Sequence, residues 1–108
     1  MTKFVNLTPH DIVIFRRDGK RVLIPATGKV ARVSVRCEQI TDEDGIPVMK
    51  NVYGDVEGLP DPEANTIYIV SSLVACRAQR VDVLVPNDFV RDDSGRIIGC
   101  RSLALGGD

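Results

Sequence analysis

Residues 29–37 alternate one in two: Ala31, Val33, Val35 and Cys37 fall on one side, and Val30, Arg32, Ser34 and Arg36 on the other. Only an extended strand sends successive side chains to opposite faces, so this stretch reads as a β-strand with one face in a core and one in water. The rest of the chain repeats the theme in shorter pieces. Apolar runs at residues 4–7, 11–16, 21–24, 46–53, 66–70, 81–85 and 96–105 are separated by Gly, Pro, Asp and Asn clusters. Such punctuation, at roughly 8–12-residue intervals, is the pattern of short strands folded into a sandwich or barrel.

The turns have distinct chemistry. Asp18-Gly19 lies between two β-branched runs and predicts a hairpin with positive φ at both positions. Asp42 to Gly45 and Asp92 to Gly95 are two further acidic turns, and residues 54–65 read as one long loop of a length that is often functional. Pro47 suits only a strand start or an edge. After the run at 66–70, Ser71 and Ser72 offer an N-cap to a short helix at 73–80, with Leu73, Ala75 and Cys76 near its inner face. Val81 to Val85 is expected to close at Pro86-Asn87-Asp88, and residues 106–108 to fray. If the 66–70 strand lies outermost, a helix or a second subunit must cover it. The fold expected is one α+β domain over residues 1–108, a mostly antiparallel sheet or partly closed barrel with one short helix packed on it.

Composition narrows the function. Fourteen Lys and Arg nearly balance fifteen Asp and Glu, for a net charge of −1. That argues against a nucleic-acid binder or a module drawn to anionic membranes. No run approaches the roughly 18 apolar residues of a spanning helix, and the start Met-Thr-Lys-Phe-Val-Asn has no signal-type apolar region, so a cytoplasmic protein is expected. Cys37, Cys76 and Cys100 are widely spaced, with no C-x-x-C. They read as three small buried hydrophobes, without metal or cofactor.

No nucleophile elbow, phosphate-binding loop, dinucleotide fingerprint or zinc-helix motif is present. Catalysis would have to use His10, whose neighbour Asp11 points to the other face of a strand, or Cys76 inside the helix. Paired carboxylates sit in turns, where acidic residues belong for local reasons. Anion binding has better material. Ser71 and Ser72 open a helix after an apolar strand, where backbone N–H groups are free. Arg32, Ser34 and Arg36 share one strand face, and guanidinium forks suit phosphate oxygens. Arg77 on the helix and Arg91 beside the last acidic turn complete the candidate ligand set, and Phe15, Tyr53, Tyr68 and Phe89 are candidates to stack on a base.

Four stretches, F-V-N-L-T-P-H-D-I, I-P-A-T-G-K-V-A-R-V, G-L-P-D-P-E-A-N-T-I-Y-I-V-S and V-R-D-D-S-G-R-I-I-G, resemble in this order small proteins encoded by phages and prophages. That resemblance carries no active-site motif. It implies an accessory protein acting by stoichiometric binding, either sequestering a small phosphorylated nucleotide used by a host defence or blocking a host protein. A small enzyme around His10 or Cys76 is the third reading. A homo-dimer or higher oligomer fits any of them.

Overall fold

Glycines set the strand ends. In the computed structural model, which describes residues 2–106, the elements are β1 (Lys3–Asn6), β2 (Ile12–Phe15), β3 (Arg21–Ile24), β4 (Arg32–Glu43), β5 (Ile46–Glu57), β6 (Thr66–Ile69), α1 (Ser72–Ala78), β7 (Val83–Arg91) and β8 (Ile97–Leu105). The β2–β3 hairpin forms as expected, but only Gly19 has positive φ, at 84°. Its loop is one residue longer than a two-residue turn: Arg16 N–H donates to Lys20 O at 2.8 Å and Asp18 Oδ1 accepts from Lys20 N–H at 3.0 Å. The turn with both central residues at positive φ stands instead at Asp44 (53°) and Gly45 (84°), between β4 and β5.

Six strands make one curved sheet in the order β1-β6-β7-β8-β2-β3, and β4 pairs only with β5. The sheet is mixed. β7–β8 and β2–β3 pair antiparallel over most of their lengths, while the parallel β6–β7 and β2–β8 ladders are short, the latter touching at Ile14 and Cys100. The fold is therefore α+β, a nearly closed barrel-shaped sheet with antiparallel parts and one helix. β6 is central, not outermost, because α1 returns the chain to lay β7 parallel beside it. Period two then divides its side chains between two cores. Tyr68 and Val70 face Val74, Ala75 and Val83 under α1, and Ile69 faces Ile12, Ile24 and Cys100 inside the sheet. On α1 the buried residues are Val74 and Ala75, whereas Cys76 is exposed. Of the three residues expected to share a face, Ala75 is buried and Leu73 half-buried, and Cys76 alone turns to solvent.

Asn6 draws the two ends of the sheet together. Its side chain is fully buried, and its amide donates to His10 O at 2.8 Å and to Ile24 O at 3.0 Å. Its Oδ1 accepts from Thr8 N–H at 2.9 Å and lies 2.7 Å from the Thr8 hydroxyl. Both amide donors are used, and Oδ1 accepts from Thr8 N–H and shares the single Thr8 hydroxyl proton with His10 O. Since Asn6 ends β1 and Ile24 ends β3, these bonds join the outermost strands.

Several boundaries move outward. β5 continues to Glu57, because Gly54 and Asp55 form a bulge opposite Ser34 and do not open a loop. β7 runs through Pro86, whose missing N–H is harmless where β6 has ended and left that edge of β7 unpaired. Gly106 packs against Ala75 so closely that a Cβ could not fit, so it belongs to the packed structure; Gly107 and Asp108 lie outside the described residues.

The β4–β5 ribbon leaves the body as an arm. Ala31, Val33 and Val56 join the core under α1, but beyond them Val35 is 47% and Met49 50% exposed. The alternation of residues 29–37 is real, yet its apolar face is core only as far as Val33. The radius of gyration, 16.9 Å, exceeds the about 13 Å of a compact chain of this length.

The remaining loop, residues 58–65, is pinned to the body. Arg80 forks onto Asp82 (2.7 and 3.0 Å) and donates to Pro60 O at 3.0 Å, and the Tyr68 hydroxyl donates to Asp61 O at 3.2 Å. The hydrogen-bonded Arg80 guanidinium holds the Asp82 carboxyl below its usual range, against the opposing effect of burial.

Two outcomes are expected. Asn6→Ala removes the side-chain partners of Ile24 O and Thr8 N–H in a buried setting and destabilises by roughly 2–4 kcal/mol, measured by urea denaturation. Asp82 titrates lower in the folded than in the unfolded state, where its pKa is about 3.9. The stabilisation from its ion pair is complete above that unfolded value and is lost as pH falls through the lower folded one. Asp82→Asn therefore lowers stability at neutral pH and makes the acid limb shallower, which urea midpoints across a pH series will register.

Candidate functional site

The Asn6 network that closes the sheet also shapes a groove. Thr8 Oγ1 lies 2.9 Å from His10 O, which Asn6 also binds, so the bend after β1 is held rigidly and His10 stands exposed at its crest. Beside this bend opens a cavity of about 610 Å³, bounded by residues 8–13, the β6–α1 junction and the β7–β8 ribbon. Its floor is Ile12, Val70 and Cys100, all buried. Its far wall is Phe89, Ile97 and Ile98, each about half exposed. Gly99 allows this wall: a Cβ there would meet Val13 O and the Phe15 ring, so only glycine lets β8 lie this close to β2.

The polar side chains of the lining are few: Thr8, which is buried, and His10, Asp11, Ser71 and Ser72, which are exposed. Asp11 is committed elsewhere, since its Oδ1 accepts from Ala26 N–H at 2.8 Å. Ser71 occupies the N-cap position with extended backbone, but its side chain makes no capping bond. The hydroxyl is thereby left for something other than the helix. Among the described residues no Lys or Arg lines the groove.

The candidate ligand residues are therefore separated. Ser71 and Ser72 belong to the groove. Ser34 and Arg36 line a second cavity of about 420 Å³ on the arm with Tyr53 and Gly54. Arg36 is paired with Glu38 at 2.8 Å, both highly exposed, so the pair adds little stability. Arg32 faces Glu57 across the ribbon. Arg77 lies over the Tyr53 ring, 5.9 Å from its centroid. Arg91 donates to Gly95 O at 2.9 Å within the β7–β8 turn. Period two correctly aligned Arg32, Ser34 and Arg36 on one face, but that face belongs to the arm and not to the helix start.

Of the four aromatic candidates, Phe89 lines the groove, whereas Phe15, Tyr53 and Tyr68 do not. Ile97 and Ile98 were not legible in the sequence, because a strand residue that lines a groove has the same pattern as one that lines a core. Nor are the cysteines alike: Cys37 and Cys76 are exposed, and only Cys100 is buried. Burial pushes the Cys100 thiol up, so at the groove floor it is an apolar contact and a poor nucleophile. Cys76 does not line the groove that holds His10. Among the described residues no group of three or more His, Cys, Asp or Glu side chains converges to hold a metal, and no helix is long and apolar enough to cross a membrane.

Alkylation separates the thiols. Iodoacetamide is expected to modify Cys76 in the native protein and Cys100 only after denaturation, with peptide mass spectrometry as the readout.

Compared with protein-family models, with curated proteins and with solved structures, the chain matches none.

Proposed function

We propose that this protein acts by stoichiometric binding of a small nucleotide-type ligand, held base-inward in the groove beside His10. The observation that carries the reading is the mixed character of that groove: a mostly apolar lining with one aromatic ring, Phe89, and a few polar side chains, the hydroxyls of Thr8, Ser71 and Ser72, the His10 imidazole and the Asp11 carboxylate. Pockets for small ligands combine an apolar body with few placed polar groups in this way, and a volume of about 610 Å³ lies within the usual 300–1,000 Å³. A flat base suits the slot between Phe89 and the Pro9 side, and a ribose suits the hydroxyls of Ser71 and Ser72. Phosphate is the weaker part of recognition, because the arginines expected to hold it stand on the arm and at the β7–β8 turn. Sequestration fits this arrangement better than turnover: the buried thiol at the floor stays protonated, and Asp11 does not orient His10. In the phage or prophage setting that the sequence resemblance implies, such a protein removes a nucleotide signal from a host defence.

Thermal denaturation with the common nucleosides and their monophosphates tests the reading. The expected result is a stabilisation of about 2.7 kcal/mol at a hundredfold excess over Kd, nearly equal for nucleoside and monophosphate. Phe89→Ala should abolish it and Arg36→Ala should leave it intact. No stabilisation by any member of the panel sinks the proposal.

A second reading, an inhibitor or adaptor that binds a host protein, rests on the exposed apolar side chains of the arm. It predicts co-purification of a host protein and no ligand shift.

A further inference from the structure

The two faces of the arm differ in a way that water alone does not explain. Cross-strand register puts Val35 opposite Tyr53, Cys37 opposite Asn51 and Gln39 opposite Met49, all on the face that continues from Val33 and Val56. The Cys37 thiol lies 3.2 Å from Asn51 Oδ1, as that register requires. None of these six side chains is charged. The opposite face carries Arg36, Glu38, Lys50 and Glu43 among Val52, Val48 and Ile46, with Arg36 and Glu38 ion-paired. A ribbon solvated on both sides has no reason to keep its charges to one of them, and a two-stranded ribbon without further cover is only marginally stable. The uncharged face is the one built to be covered.

Its ends indicate by what. At the base the Arg77 guanidinium lies over Tyr53. At the tip Asp42, whose Oδ1 accepts from Gly45 N–H at 2.9 Å and so fixes the turn, pairs with Pro47 and returns to the same face, because the bulge at Ile40 shifts the register. The face thus runs from a cation to an anion along about 24 Å, or seven residues of extended chain. Two such faces laid antiparallel are complementary to each other: each Asp42 meets the other copy's Arg77, and the uncharged middle meets itself. We propose that the occupant of this face is a second copy of the chain, joined by two-fold pairing of the arms with Met49 and Asn51 near the axis. Self-complementarity of one patch is what a two-fold interface demands.

The pairing does not depend on the ligand groove. Sedimentation of the full chain across the micromolar range tests it. Wild type is expected to dimerise, and Met49→Lys, at a half-exposed position that leaves the core untouched, to be monomeric while still folded by circular dichroism. Asp42→Arg should weaken association about tenfold or more, and the double exchange Asp42→Arg with Arg77→Asp should restore it. In a Cys76→Ser background, a short bismaleimide should link two copies through Cys37. A wild-type monomer throughout overturns the proposal and leaves the face to a different protein. A dimer that survives Met49→Lys, or that gives no Cys37 linkage, overturns it equally.

Discussion

A single buried amide holds this fold in its shape. Asn6 ends one outer strand and binds the carbonyl that ends the other, while its remaining bonds fix the bend that carries His10. A buried amide is stabilising only when every one of its hydrogen-bonding positions is used; short of that, the desolvation cost exceeds the gain. Here all are used, and two outcomes follow from the same side chain. The sheet curls until β1 and β3 approach, and the segment from Thr8 to Val13 is held open as one lip of a groove.

Core and surface are divided by where the helix stops. α1 covers β6, β7 and the root of the arm, and its seven residues leave nothing to cover β4 and β5 farther out. One continuous apolar face is therefore buried at Val33 and bare at Val35 and Met49. The groove forms for a related reason. β7 and β8 outlast β6 and β2, so their projecting ribbon supplies a wall, Phe89 to Ile98, with no strand behind it. Both exposed apolar features come from strand pairs that outlast their neighbours. They differ in chemistry: the groove is concave with a few polar side chains, which suits a small ligand, and the arm is a flat uncharged stripe with opposite charges at its ends, which suits a surface like itself.

Local chemistry was readable where it acts locally. Gly19, Gly45 and Gly95 all adopt the positive φ that the turns require, and the alternation around Val33 and the two-sided apolar run at β6 follow from period two. The boundaries that moved did so for long-range reasons. Gly54 reads as a loop residue until Ser34 stands opposite it, and Pro86 reads as a strand terminator until β6 proves too short to need its N–H. Asn6 gave no warning at all, because it reads as one more residue of the 4–7 strand until Ile24 O comes within reach. Within the candidate site, Ser71, Ser72 and Phe89 were legible as groups able to bind, but their convergence with His10 was not, and the arginines grouped with the serines turned out to lie elsewhere.

The sequence by itself determined which residues extend, which turn, and which side chains share a face, since these depend on φ preferences and on the geometry of a few neighbouring residues. It determined a net charge near zero and the absence of any written catalytic motif. Only the tertiary structure decided that β6 is central, that the alternating strand leaves the core at Val33, and that His10, Ser71 and Phe89 border one cavity while Arg36 and Arg77 do not. Alternation tells which side chains travel together; what comes to cover them is set by strand order and by how far each neighbour extends, and those are properties of contacts made across the whole chain.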